Sequence, residues 1–184
     1  QTLRGAPHGA PWGLHYCLYV LYFDFVFSLN VPILGICYGM QAIAQHFDGE
    51  VQSSDKREFG YAKVKKEHDS LLLNELSDNG DNSSEDILDV WMSHGDHVSI
   101  LPDDFILSAS TQSAPIAAME HKDKPYYALQ FHPEVTHTDK GKKIIENFII
   151  DICKSRRDWK LDDLIDHRIK EIKAQVGDKK VLLG

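Results

Sequence analysis

The sequence predicts an α/β domain, on three observations. Short apolar runs such as residues 126–129 are typical of buried strands, whereas residues 141–153 carry apolar side chains at helical spacing. Strand and helix segments are mixed along the chain, as they are in α/β domains. The 184 residues, 42% hydrophobic and 26% charged, suit one domain with a substantial core.

The first half of the chain is predicted to hold three strands and one helix. Residues 61–65 alternate apolar and polar side chains, as a half-exposed strand does, and residues 77–86 are rich in Asn, Asp, Ser and Gly, which predicts a solvated loop. The predicted elements are a strand at 31–36, a helix at 40–47, a strand from 51 to a turn at Phe59 and Gly60, and a strand at 61–65.

The second half is predicted to continue this mixture. Apolar residues at positions 144, 145, 148, 149 and 152 predict an amphipathic helix that packs on the sheet. The predicted elements are strands at 90–93, 105–110 and 126–129, a turn at 101–104, helices at 141–153 and 162–176, and a strand at 179–184.

Charge and cysteine content exclude several classes of function. The net charge of −8 argues against nucleic-acid binding. Cys17, Cys37 and Cys153 are widely spaced and odd in number, so we expect no disulfide framework and a reducing, cytoplasmic setting. The apolar segment 14–27 is too short to span a bilayer and is interrupted by Asp24, so no membrane association is expected.

Cys37 lies where a nucleophile is expected. It follows the predicted strand at 31–36 and precedes a helix, and such an elbow aims the first helical N–H groups at the group that the sulfur attacks. Those N–H groups also favour thiolate over thiol. Gly35 and Gly39 fit a tight turn that has no room for a Cβ. The alternative is an inert buried cysteine at a strand end.

A base for this cysteine is offered by His132 and Glu134. They follow the strand at 126–129 and, two apart in an extended segment, project to the same side, so the carboxylate can orient the imidazole. By themselves they could be ordinary surface residues. Together with the elbow they predict a Cys37-His132-Glu134 triad.

Two segments, 35–41 (GICYGMQ) and 130–134 (QFHPE), resemble the signatures of the class I, or triad-type, glutamine amidotransferases. Further stretches are similar to the amidotransferase domain of the GMP synthase family. They are residues 55–60 (DKREFG), 91–96 (WMSHGD), 135–138 (VTHT), Asn147 with Phe148, Ile152 with Cys153, Trp159, and 176–184 (VGDKKVLLG). The resemblance covers about residues 23–184.

The resemblance implies a flavodoxin-like fold, with an open, mostly parallel sheet flanked by helices, that is N-terminally incomplete in this chain. It implies an atypical segment at 1–22, an amidotransferase domain at 23–155, and at 156–184 a linker helix with the first strand of a truncated ATP pyrophosphatase domain. In residues 1–22 no Gly-Gly-Pro loop is recognisable, although this loop supplies the second oxyanion donor in the family.

The resemblance also assigns roles to residues. Cys37 would attack the side-chain amide of L-glutamine, His132 would pass a proton to the departing ammonia, and Glu134 would orient His132. The oxyanion-stabilising and substrate-binding residues would be Tyr38, Gly39, Gln41, Ser93 and His94.

The implied partners are L-glutamine and the ATP pyrophosphatase domain of the same full-length protein. XMP would be met only through that domain. No cofactor is expected in this chain, because ATP and Mg²⁺ would belong to the missing synthetase domain. No metal site is expected either: His94 and His97 could suggest zinc, but no third ligand has convincing spacing.

Two alternative interpretations remain open. The chain could be a non-catalytic remnant or interaction fragment that lacks a complete oxyanion site. It could also belong to another class I enzyme, of the CTP synthase or carbamoyl phosphate synthase type, although residues 136–138 and the closing segment favour the GMP synthase family.

Overall fold

The computed structural model describes residues 25–76, 87–158 and 161–181, without the side chains of residues 54–57 and 161–163. The loop predicted at 77–86 and the atypical segment 1–22 lie outside the described residues. The chain divides into two compact units, Gln1–Lys154 and Ser155–Gly184. Among the described residues, no helix combines the length and apolar character needed to cross a bilayer.

The first unit is built on a sheet, in which six strands are described. Their order is β1-β6-β5-β4-β2-β3, where β1 is Ile33–Ile36, β2 Glu50–Lys66, β3 Ile87–Ile100, β4 Phe105–Ser110, β5 Ala118–His121 and β6 Tyr126–Leu129.

The predicted α/β class is confirmed, but the described part of the sheet is mixed rather than mostly parallel. Strands β1 and β6 are parallel, and the other four pairings are antiparallel. The connections 111–117 and 122–125 are too short for a crossover helix, so β4, β5 and β6 must alternate in direction.

Strands β2 and β3 are longer than predicted. The turn expected at Phe59 and Gly60 is wrong: β2 runs through both residues, and Gly60 takes a φ of 124° that a glycine tolerates within a strand. The register shifts between Ser53 and Glu58, which marks an irregularity in β2. Beyond it, Glu58 pairs with His94 and the two strands stay in register to Lys65.

Helices cover both faces of the sheet. Helix α1, Tyr38–His46, buries Met40 and Ile43 in the cluster that contains Ala128. Helix α2, Gly141–Glu146, buries Ile144 in the cluster that contains Leu129. Since Ala128 and Leu129 are consecutive in β6, they face opposite sides of the sheet, and both are fully buried.

The helix predicted at 141–153 changes its winding part-way. It becomes a π-helix over Asn147–Ile152, where the N–H of Cys153 donates to the carbonyl of Phe148 at 2.8 Å. Asn147 is buried at the start of this segment and donates its side-chain amide to the carbonyls of Leu72 and Asn74, at 3.1 and 2.9 Å.

Residues 25–28 of the first unit, at the start of the described part, are helical.

In the second unit, helix α3 runs over Leu161–Val176, in agreement with the helix predicted at 162–176. A strand was predicted at 179–184. Residues 179–181 do not form a strand and pair with no described strand, and residues 182–184 lie outside the described part.

Candidate active site

Cys37 forms a strained elbow between β1 and α1. Its backbone has φ 52° and ψ −106°, a sparsely populated combination for a residue with a Cβ, and such strain clusters at functional sites. A Cβ on Gly35 would lie 2.7 Å from the carbonyl oxygen of Gly39, so the predicted need for glycine at 35 is confirmed. At Gly39 the same prediction is wrong, because a Cβ there would meet nothing within 4 Å.

The parallel pairing of β1 with β6 brings Cys37 beside the segment that carries His132. Ile36 and Leu129 are register partners at the carboxyl ends of these strands. The N–H of Cys37 then donates to the carbonyl of Leu129 at 2.7 Å. In sheets of this class, loops at the carboxyl ends of neighbouring parallel strands form the binding crevice.

His132 is held in place by its side chain and by its backbone. Its Nδ1 lies 2.6 Å from Oε1 of Glu134, so the predicted imidazole–carboxylate pair is formed. Glu134 lies in a turn that begins at Pro133, rather than in the expected extended segment. The N–H of His132 donates to Trp91 in β3, and its carbonyl accepts from the hydroxyl of Thr138 at 2.6 Å.

The sulfur of Cys37 has polar neighbours from three parts of the chain. Its thiol donates to the carbonyl of Ser93 at 3.6 Å, and the side-chain Nε2 of Gln130 donates to the sulfur at 3.7 Å. The backbone N–H of Tyr38 also interacts with it.

These surroundings favour the thiol in the resting protein. Burial is the largest influence and raises the pKa of Cys37, and the negative charge of Glu134 raises it further. The N–H groups of Tyr38 and Gln130 lower the pKa but do not offset burial. The expected preference for thiolate is therefore wrong, because desolvation outweighs the helix N-terminus.

The model of the family described as Glutamine amidotransferase class-I matches residues 19–152. The chain belongs to this family. Two curated relatives are both described as glutamine-hydrolyzing GMP synthase. The one from Vesicomyosocius okutanii is 52% identical over 86% of this chain, and the one from Colwellia psychrerythraea is 49% identical over 88%. The chain spans about 30% of the length of these relatives.

Solved structures of related proteins share the fold. A Thermoplasma acidophilum protein, described as a candidate subunit of GMP synthase, has a TM-score of 0.66 and 35% identity, covering 85% of this chain and 69% of its own. A glutamine amidotransferase of Thermotoga maritima has a TM-score of 0.58 at 22% identity, with 91% and 63% covered, which supports the fold alone.

The remaining residues that were predicted from the amidotransferase resemblance lie around the elbow. Gln41 is buried in α1 and donates its side-chain amide to the carbonyl of Asp96 at 2.8 Å. Ser93 places its carbonyl on the sulfur, whereas Tyr38 leaves its ring 63% exposed. The structure thus gathers these residues around Cys37, with Gln41 engaged by the backbone of β3.

His94 is different, because its side chain is directed into the interior of this amidotransferase domain. It is 6% exposed, and its Nε2 lies 3.2 Å from Oε2 of Glu58, its register partner in β2. Neither atom meets strict hydrogen-bond geometry, so the two groups are in close polar contact, which becomes an ion pair only when His94 is protonated. Burial is the largest influence on His94 and lowers its pKa, while Glu58 acts in the opposite direction.

Glu58 and Gln130 were not predicted as site residues. The position of Gln130 could have indicated a site residue, since it directly precedes Phe131 and His132 at the end of a buried strand.

In the described residues no group of three or more His, Cys, Asp or Glu side chains could hold a metal ion.

Proposed function

We propose that this chain is the glutamine-hydrolysing part of a GMP synthase and that it releases ammonia from L-glutamine. The observation that carries the proposal is the position of Cys37, on a strained elbow next to the strand that leads to the His132–Glu134 pair. The names of relatives at about 50% identity supply the class of the whole reaction.

The chemistry follows from the placement of protons. Nδ1 of His132 is occupied by Glu134, which leaves Nε2 free to accept the thiol proton of Cys37. The sulfur then attacks the side-chain carbonyl carbon of glutamine. The protonated His132 returns its proton to the departing nitrogen, so ammonia leaves and a glutamyl thioester remains.

Hydrolysis of the thioester reverses these roles. His132 takes a proton from water, the hydroxide attacks the thioester carbonyl, and the proton returns to the sulfur as glutamate leaves. The N–H of Tyr38 is the oxyanion donor, because it is the first N–H of α1 and already faces the sulfur. One such donor contributes typically about 10²- to 10³-fold to rate.

The raised pKa of Cys37 fits this sequence of steps. A resting thiol requires His132 to act as a general base in the attack itself, which typically contributes about 10²- to 10⁴-fold. Proton transfer within the triad then accompanies the attack on glutamine.

The rest of the proposed reaction belongs to a partner. Ammonia would aminate XMP to GMP, with ATP and Mg²⁺ bound by an ATP pyrophosphatase domain of the full-length protein. Residues 23–155 would form the amidotransferase domain and 156–184 the linker helix with the start of the next domain. This chain would need no cofactor of its own, and it would act in the cytoplasm.

Glutamate release from L-glutamine tests the proposal, with Cys37→Ala and His132→Ala as the informative variants and Cys153→Ser as the matched cysteine control. We expect turnover in the parent and the control and none in Cys37→Ala. Adding a separately produced ATP pyrophosphatase domain with ATP, Mg²⁺ and XMP should yield GMP. A folded parent without glutaminase activity, alone or with that domain, would favour a non-catalytic interaction fragment.

A further inference from the structure

Gln130 occupies the position next to Cys37 at the carboxyl ends of β1 and β6. Each residue directly follows one of the register partners Ile36 and Leu129. Gln130 is fully buried, and its backbone N–H donates to the carbonyl of Ala117 at 2.8 Å. The backbone of Gln130 is therefore held in place, and its side-chain amide has no solvent with which to form hydrogen bonds.

The amide of Gln130 is used asymmetrically. Its Nε2 donates to the sulfur of Cys37 at 3.7 Å, within the range for a sulfur acceptor, whereas its Oε1 is buried without a hydrogen-bond partner among the described residues. Burying an unpaired carbonyl is unfavourable, so a purely structural glutamine would be expected to satisfy this atom. The arrangement instead preserves one N–H directed at the nucleophile.

The sulfur needs such a donor once it loses its proton. The carbonyl of Ser93 suits a thiol, since it accepts the S–H, but it offers nothing to a thiolate. The charge of Glu134 also disfavours a thiolate. When the N–H of Tyr38 turns to the substrate oxyanion, Gln130 still donates to the sulfur, alongside the protonated His132.

We propose that Gln130 is a further catalytic residue, whose side-chain N–H donates to the Cys37 sulfur and stabilises its thiolate during attack and during departure from the thioester. Gln130 neither gains nor loses a proton, because His132 carries the thiol proton. The catalytic role rests on the proposed glutaminase function, whereas the hydrogen bond itself can be measured without glutamine.

The test is the pH dependence of alkylation of Cys37 by iodoacetamide, followed by mass spectrometry of the peptide that contains Cys37. Gln130→Met keeps the length and the unbranched shape of the side chain but removes the donor, and Gln130→Glu replaces the donor with a carboxylate. Gln45→Met, at an exposed position of α1, is the control.

Both Gln130 variants should raise the pH midpoint of alkylation by about one to two units, because hydrogen bonds to charged groups have that strength. The shift in Gln130→Glu should be at least as large as in Gln130→Met, and Gln45→Met should match the parent. An unchanged midpoint in a folded Gln130 variant would overturn the proposal.

A second measurement uses the parent chain, in case neither variant folds. The side-chain amide resonance of Gln130 should shift in NMR spectra as Cys37 is titrated, and a resonance that does not respond would also overturn the proposal. If the Gln130 variants shift the pH midpoint of alkylation but the parent chain does not hydrolyse glutamine, the proposed function is contradicted and the hydrogen bond is confirmed.

Discussion

The backbone N–H of Cys37 donates to the carbonyl of Leu129 across 2.7 Å, which ties the elbow that carries Cys37 to the strand that leads to His132. Two residues that are far apart in sequence are thereby neighbours in the sheet. The pairing explains how a strained cysteine and an imidazole–carboxylate pair can act as one site, and it makes the following outcomes testable.

The residues of the triad should differ in importance. His132→Ala removes the proposed general base, so kcat for glutamine hydrolysis should fall by about 10²- to 10⁴-fold. Glu134→Ala should cost less, because it removes a residue that orients the base rather than the base itself. Steady-state kinetics with Cys153→Ser as control measure both. A larger loss in Glu134→Ala than in His132→Ala would contradict the assigned roles.

The elbow should tolerate a methyl group at Gly39 far better than at Gly35. Gly35→Ala drives a Cβ against the backbone of Gly39 and the side chain of Ile43, and overpacking of this kind costs typically about 1–3 kcal/mol. Gly39→Ala meets open space inside α1, where alanine is favoured over glycine by roughly 1 kcal/mol. Urea unfolding compares the two variants. Equal stabilities would show that the close approach is not maintained in solution.

Asn147 should be important for stability, because its side chain binds two backbone carbonyls. Asn147→Leu leaves the carbonyls of buried Leu72 and exposed Asn74 without this donor, and the unsatisfied buried carbonyl of Leu72 alone should cost about 1–3 kcal/mol. Asp151→Ala, at an exposed position of the same π-helix, is the control and should change little. Thermal unfolding decides between these expectations, and a neutral Asn147→Leu would mean that the π-helix is anchored otherwise.

Stability should fall in mild acid because of His94. Its pKa in the folded state is lowered below the ordinary value of 6.5 by burial, so the unfolded chain binds the proton more readily. The free energy of unfolding should therefore decrease as the pH falls below about 6.5. The lowered pKa of His121, also caused mainly by burial, acts in the same direction.

The contribution of His94 can be isolated by substitution. In His94→Asn the pH dependence between about 7 and 5 should become shallower, whereas His167→Asn, in an exposed pair on α3, should leave it unchanged. Denaturant unfolding at several pH values provides the comparison. An unaltered slope in His94→Asn would show that the pair with Glu58 keeps the histidine charged.

Much of the site could be predicted from local patterns. Cys37 lies between a strand and a helix that are both recognisable from the sequence, and His132 and Glu134 follow a clear apolar run. The relative direction of the strands is harder to predict, because an apolar run does not determine which strand it pairs with or whether the pairing is parallel. Gly60 suggests a turn in isolation, yet pairing of β2 with β3 on both sides keeps the strand continuous.

The electrostatics of the site depend on packing and could not be predicted locally. The helix N-terminus next to Cys37 favours a thiolate, but the degree of burial and the approach of Glu134 decide the direction of the pKa shift. The same holds for Gln130 and His94, whose roles emerge only when β3, β6 and the elbow are assembled.

The most direct measurement is covalent labelling of the folded chain by a glutamine-analogue electrophile, located by mass spectrometry. We expect a single adduct on Cys37, slowed by excess L-glutamine, absent in Cys37→Ala and strongly reduced in His132→Ala. A folded chain that remains unlabelled at Cys37, or that is labelled there equally fast without His132, would contradict the triad mechanism.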